Sequence, residues 1–143
     1  ITGLQEFGVY LNKLFTIDAI FLNEDRHMHN IAVMMNGKGE FDYCPIFDNG
    51  GALLTDTTMD YPLDQDELLL MKEVHAKTIS SDFDEQLDAS EHFYGRNLRF
   101  SFTKKDVERL LAKPELNMYD VQIRTRVANI FYQQMDKYKY LFY

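Results

Sequence analysis

The sequence has little cysteine and no tryptophan. Its 143 residues include one cysteine, Cys44. A single cysteine excludes an internal disulfide, so the cytoplasm, which is reducing, is the simplest compartment for the protein. We expect the Cys44 thiol to be buried and inert.

Basic charge and long apolar runs are also scarce. Fifteen Lys and Arg residues face 23 Asp and Glu residues, a net charge of −8, which repels phosphate backbones and argues against a nucleic-acid partner. No apolar run approaches the roughly 20 residues that cross a bilayer, so the sequence predicts no membrane span. The 45% hydrophobic content predicts one domain with a real core, residues 1–143. Because the chain opens with Ile1 in a helical pattern, we expect it to be part of a longer protein.

The apolar spacing predicts an α+β fold that is mainly helical. Apolar residues between positions 4 and 22 follow the spacing of a buried helical stripe, as one long helix or two short ones. In the C-terminal half, caps and apolar spacing predict four further helices, and residues 53–62, without clear period, predict a surface loop. These helices are expected at residues 64–74, at 82–94 with Gly95 as stop, from 103 to a break at Pro114, and at 121–140.

A β-hairpin is predicted directly after the first helix. Residues 31–35 and 40–47 read as strands, joined by the tight turn Asn-Gly-Lys-Gly at 36–39. The second strand ends in Asp-Asn-Gly-Gly at 48–51, residues that break strands and tolerate unusual backbone angles.

This hairpin predicts that three oxygen-bearing side chains converge. With the turn centred near residue 38, paired positions sum to roughly 76, so Asn30 lies opposite a residue near 46. Asp48 then arrives beside Asn30 and within reach of Asp25. Carboxylate and amide oxygens are ligands that Mg²⁺ prefers, with phosphates and waters completing its shell.

The spacing of these residues is typical of protein kinases. An Asp followed five positions later by an Asn, then a hairpin and a second Asp before a glycine, matches their catalytic and metal loops. The stretch Asp-Arg-His-Met-His-Asn at 25–30, with Pro-Ile-Phe-Asp-Asn-Gly at 45–50, resembles the motif pair of the HipA-like serine/threonine kinases. The related phosphatidylinositol 3- and 4-kinases also carry Asp-Arg-His-x-x-Asn. Close similarity covers residues 15–55, and the helical remainder resembles the family's C-terminal lobe in outline.

The resemblance implies a role for each matching residue. Asp25 would be the catalytic Asp, and Asn30 and Asp48 would bind the Mg²⁺ ions that bridge the phosphates of ATP. Gly50 would be the glycine of the metal loop, and Asn49 stands where ordinary protein kinases have Phe. The implied activity is transfer of phosphate from ATP to a protein serine or threonine.

The other polar residues of the first motif leave alternatives open. His27 holds the position of a histidine in the lipid kinases, and it either shuttles protons beside Asp25 or supports the loop through hydrogen bonds. His29 is expected to be exposed, and a zinc site is not expected because no cysteines or further histidines lie nearby. Arg26 either contacts a phosphate or an acidic side chain, or is solvated.

The parts that grip a nucleotide are not found before the catalytic motif. The residues before Asp25 include Gly3, Gly8 and Lys13 but no Gly-x-Gly-x-x-Gly. We therefore expect the ATP-gripping N-terminal lobe to lie outside this chain, which would make the isolated fragment inactive.

Three alternatives to a protein kinase remain at this point. The chain could be a non-catalytic binding or scaffold module with a kinase shape, or a kinase of lipids or small molecules. In the third, Asp25, Asn30 and Asp48 only cap turns and helices, and no metal binds.

Overall fold

The computed structural model describes residues 2–143 and has an α+β, mainly helical fold, as predicted. Within these residues, five α-helices accompany one two-stranded antiparallel sheet. The helices are α1 (Phe7–Phe21), α2 (Glu67–Glu73), α3 (Phe83–Tyr94), α4 (Lys104–Leu111) and α5 (Val121–Lys137), and the strands are β1 (Val33–Met35) and β2 (Phe41–Tyr43). Short 3-10 helices lie at Met28–Asn30, Pro114–Leu116 and Lys139–Leu141.

The chain divides into two compact units. The first contains the chain up to Ala52 and His75–Leu98, and the second contains Leu53–Val74 and Arg99–Tyr143. The first unit therefore holds α1, the hairpin and α3, and the second holds α2, α4 and α5. The prediction of a single domain that forms one lobe of a kinase stays a prediction.

In the first unit, α1 packs against α3. Leu14, Ala19 and Ile20 of α1 have no exposed surface, and because these three positions point to different sides of the helix, this part of α1 is buried all round. The Asn12 amide links the two helices where α1 is buried, since its Nδ2 donates to Ser90 Oγ at 3.0 Å. The predicted end of α3 is confirmed: the helix stops at Tyr94, and Gly95 follows in the left-handed region at φ 77°.

The predicted hairpin is present, and its strands pair in the predicted register. Val33 pairs with Tyr43, Met34 with Asp42 and Met35 with Phe41. The strands are shorter than predicted, with three residues each. The ladder stops because Met28–Asn30 forms a 3-10 turn on one side and Pro45, which has no N–H to donate, follows on the other.

In the second unit, α5 packs against both α2 and α4. Ile130 and Phe131 of α5 are buried, as are Leu70 of α2 and Val107 of α4. The predicted cap of α4 is confirmed, because Thr103 forms a reciprocal capping box with Asp106.

Several local predictions need correction. Segment 53–62 is irregular as predicted, but it is not only a surface loop, since Leu54 and Tyr61 are buried. Cys44 is half-buried instead of buried. No helix within residues 2–143 combines the length and the apolar character that crossing a membrane requires.

Candidate active site

The end of α1 sets the direction of the first motif. Leu22 adopts the left-handed region at φ 50°, and its N–H donates to Asp18 O, which closes the helix. The chain then turns sharply: Asp25 N donates to Asn23 Oδ1 at 3.3 Å, and His27 N donates to Asp25 O at 3.0 Å. Residues 23–30 therefore form a compact loop between α1 and the hairpin, called here the catalytic loop after the kinase motif that it resembles.

Asp25 and His27 lie together at the surface of this loop. Their side chains are 46% and 44% exposed, and His27 Nε2 lies 4.0 Å from Asp25 Oδ1. His27 Nδ1 accepts a hydrogen bond from His29 N at 3.2 Å, so the proton of the neutral imidazole belongs on Nε2, toward Asp25. His27 thus supports the loop, as one alternative held, and also stays beside the carboxylate. His29 is exposed, as predicted.

Asn30 is buried at the end of the catalytic loop, with 8% of its surface exposed. Its Nδ2 donates to the Asp25 carbonyl at 2.8 Å, and this bond fixes which end of the amide points into the loop. Among residues 2–143, Asn30 Oδ1 has no hydrogen-bond partner. The side chain therefore combines a fixed orientation with an oxygen that can bind a cation.

Asp48 lies in the segment after the hairpin, residues 47–51, called here the metal loop after the kinase motif that it resembles. It is exposed and adopts the left-handed region at φ 55°, which Asp tolerates better than most residues. Asp48 is one of five non-glycine residues with a positive φ among residues 2–143, and it stands two positions before the pair Gly50–Gly51.

The metal loop lies directly against the catalytic loop at Gly51. Glu24 N donates to Gly51 O at 3.2 Å. A Cβ on Gly51 would lie 2.8 Å from Asp25 Cβ, closer than real carbon atoms approach. The close approach is thus made at Gly51, whereas a Cβ on Gly50, the glycine that the resemblance singles out, would meet nothing within 4 Å.

A buried arginine joins the two loops. Arg26 is 1% exposed, so the alternative of a solvated side chain was wrong. Its Nη1 donates to the carbonyls of Asn30 at 3.1 Å and Phe47 at 2.6 Å, and its Nη2 donates to Asn49 Oδ1 at 2.6 Å. One guanidinium thus holds the residue before Asp48, the residue after it, and Asn30.

The charge of Arg26 is balanced from within α1. Asp18, also fully buried, accepts from Arg26 Nε at 3.1 Å and from Nη2 at 3.2 Å, and from Asn23 Nδ2 at 3.0 Å. Burial raises the pKa of Asp18 above its ordinary value of 3.8, and the hydrogen bonds from Arg26 and Asn23 oppose that rise.

Sequence reasoning missed this network of Asp18, Asn23, Arg26 and Asn49. A signal was present, because Leu11, Leu14, Asp18 and Leu22 share one helical face. A carboxylate in an apolar stripe needs a buried partner, and Arg26 was the nearest cation downstream.

The site combines the half-exposed carboxylate of Asp25 with the Asn30 amide and the Asp48 carboxylate on adjoining loops. Among residues 2–143, no three His, Cys, Asp or Glu side chains group together as a metal site. The predicted ligands are instead the Asn30 amide and the Asp48 carboxylate, and Mg²⁺ binds few protein oxygens when phosphates supply the others. The donor set therefore fits Mg²⁺ held together with a nucleotide.

Comparisons of the chain with protein-family models, with curated proteins and with solved structures found no match.

Proposed function

We propose that this chain is the C-terminal catalytic lobe of a HipA-like kinase, which transfers phosphate from ATP to a protein serine or threonine. The observation that supports it is the pair of bonds from Arg26 Nη1 to the carbonyls of Asn30 and Phe47. These bonds bring the segment that carries Asp48 beside the loop that carries Asp25 and Asn30. A kinase needs this juxtaposition, because the proton acceptor and the metal ligands act on one nucleotide.

In this proposal each residue acts through its own atoms. Asp25, half-exposed and next to His27, orients the attacking hydroxyl and receives its proton. Asn30 Oδ1 and the Asp48 carboxylate would hold Mg²⁺, which neutralises charge on the transferred phosphate when bound. His27 keeps the loop in shape through Nδ1 and presents a polar Nε2 to Asp25.

The test is phosphoryl transfer by the purified full-length protein from radiolabelled ATP. Casein, phosphatidylinositol vesicles and a mixture of small alcohols serve as acceptors, so that the substrate class is read in the same assay. We expect incorporation into protein. Incorporation only into lipid or alcohols would replace the substrate class, and no incorporation with any acceptor would favour a non-catalytic binding module.

The residue assignments are tested with Asp25→Asn and Asp48→Asn. Asparagine keeps the volume of both side chains and tolerates the left-handed backbone at Asp48. We expect Asp25→Asn to lower kcat roughly a hundredfold or more with ATP affinity retained. Asp48→Asn should weaken Mg²⁺-dependent ATP binding. The control is Asp88→Asn, an exposed carboxylate on α3, and equal losses in all three variants would contradict the assignments.

A further inference from the structure

The buried guanidinium of Arg26 has every hydrogen-bond donor occupied. An arginine carries five N–H donors, and here they meet five acceptor oxygens. Two acceptors belong to the Asp18 carboxylate, and the other three are Asn30 O, Phe47 O and Asn49 Oδ1. Such complete pairing in a buried site fixes the geometry of all four partners.

Two of these acceptors bracket Asp48. Phe47 O lies before it in the chain and Asn49 Oδ1 after it, so Arg26 holds the metal loop on both sides of the residue. Asp48 is in the left-handed region at φ 55°, a conformation that persists only where its surroundings determine it. The bonds from Arg26 to Phe47 O and Asn49 Oδ1 hold the backbone of Asp48 in this conformation.

We propose that Arg26 is a positioning residue, which sets the distance between the ligand oxygens of Asn30 and Asp48 by holding both loops from one side chain. The effect of this positioning on Mg²⁺ binding rests on the proposed kinase function. Asn49 takes part as the side-chain anchor of the metal loop, at the position where ordinary protein kinases have Phe. Asp18 supplies the counter-charge from α1 without touching either ligand.

The alternative is that the Asp18–Arg26 pair exists for stability alone. Burial raises the pKa of Asp18 in spite of the two bonds from Arg26, so desolvation of the carboxylate outweighs the attraction. A buried pair of this kind is often replaced by apolar residues without loss of stability. What apolar residues cannot replace is the set of donors to Asn30, Phe47 and Asn49.

Substitution of Arg26 by lysine tests whether the charge alone is enough or whether the spread of guanidinium donors is required. Arg26→Lys keeps a cation near Asp18, but its single ammonium has three donors at one point and cannot reach acceptors spread over both loops. The double variant Asp18→Leu with Arg26→Met removes the pair and keeps the volume apolar. Arg126→Lys is the matched control, because Arg126 is a buried arginine in the second unit, with bonds to Tyr61 O and Pro62 O.

Two measurements on the full-length protein test the inference. Amide hydrogen exchange is followed across residues 27–30 and 47–51, with α1 and α3 as internal reference. The Mg²⁺ concentration that half-saturates ATP binding is measured by titration. In Arg26→Lys and in the double variant, we expect exchange to rise in both loops and the Mg²⁺ requirement to rise about tenfold or more, the usual effect of losing a residue that orients a ligand. In Arg126→Lys neither should change.

The outcomes separate this inference from the proposed function. If the wild type binds ATP with Mg²⁺ and the Arg26 variants keep its Mg²⁺ requirement and loop exchange, the positioning role is wrong and the kinase proposal stands. If the wild type binds no ATP, the kinase proposal fails, and loop exchange in Arg26→Lys alone decides whether the guanidinium holds the loops. Should the double variant not fold, Arg26→Lys gives the same decision.

Discussion

Each of the two compact units buries an arginine, and the two differ in what they hold. Arg26 in the first unit pairs with the Asp18 carboxylate and joins two loops that carry Asp25, Asn30 and Asp48. Arg126 in the second unit donates to two successive carbonyls, Tyr61 O at 2.5 Å and Pro62 O at 2.6 Å.

The difference shows that burial of a charged side chain does not by itself indicate a site. Arg126 fastens an irregular segment to α5 through bonds to two carbonyl oxygens. Arg26 has the Asp18 carboxylate as its counter-charge. Its other acceptors belong to Asn30 and to the residues on either side of Asp48, and Asn30 and Asp48 are the candidate metal ligands. The identity of the acceptors, and not the depth of the cation, distinguishes the two regions.

The largest effect is expected from breaking the ion pair of the first unit on one side. Asp18→Leu leaves the Arg26 guanidinium buried without its counter-charge, which should lower the free energy of unfolding by about 3–5 kcal/mol. Urea denaturation of the full-length protein measures this, with Asp88→Asn, which should change stability by less than about 0.5 kcal/mol, as control. A loss below about 1 kcal/mol for Asp18→Leu would show that Arg26 does not depend on Asp18.

A smaller effect is expected from the corresponding change in the second unit. Arg126→Met removes the guanidinium donors to the carbonyls of Tyr61 and Pro62, and Pro62 O keeps its bond from Gln65 N at 3.3 Å. We expect the loss of these donors to cost about 1–3 kcal/mol. Because Arg126→Met leaves no buried charge without its partner, the loss should stay below that of Asp18→Leu in the same urea experiment. A larger loss for Arg126→Met would reverse the comparison between the two regions.

The close approach of the two loops can be tested without touching a charge. Gly51→Ala places a Cβ 2.8 Å from Asp25 Cβ, so the loops must separate, at a cost of about 1–3 kcal/mol. Gly50→Ala is the matched control, because its Cβ meets nothing within 4 Å and its φ is not positive. We expect loss of stability and faster amide exchange at residues 23–30 only for Gly51→Ala. Equal behaviour of the two variants would contradict the close packing at Gly51.

The smallest effect concerns the pH dependence of a surface cap in the second unit. Hydrogen bonds from Thr103 lower the pKa of Asp106 below its ordinary value of 3.8. A lowered pKa means that its contribution to stability is present above the unfolded-state pKa and is lost as the pH falls through the folded-state pKa. Asp106→Asn should therefore destabilise the protein slightly at neutral pH, and the difference from wild type should shrink below pH 3.8.

The pKa of Asp18 is shifted in the opposite direction to that of Asp106. Because its pKa is raised, the folded state binds the proton more tightly, and stability from this group falls as the pH rises from 3.8 through the folded-state value. As the pH rises across this range, the free energy of unfolding of the wild type should therefore fall relative to that of the Asp18→Leu/Arg26→Met double variant. A constant difference would show that Asp18 keeps its ordinary pKa.

Local rules in the sequence determined much of the fold. The turn at residues 36–39 and the β-strand period predicted the pairing of Val33 with Tyr43, because a short turn fixes the register of its strands. Capping chemistry predicted the start of α4 after Thr103 and the end of α3 before Gly95. These features depend on residues within a few positions of one another, which is the range that a sequence displays directly.

Only the tertiary structure decided the surroundings of the candidate site. Arg26 finds Asp18 eight positions before it, and Phe47 and Asn49 more than twenty positions after it. The sequence showed that Asp18 interrupts an apolar helical face, but the partner of a buried charge is chosen by which segments the fold brings within hydrogen-bond distance. The steric need for glycine arises at Gly51 and not at Gly50 for the same reason, since the distance to Asp25 depends on how two loops pack and not on the motif that contains the glycines.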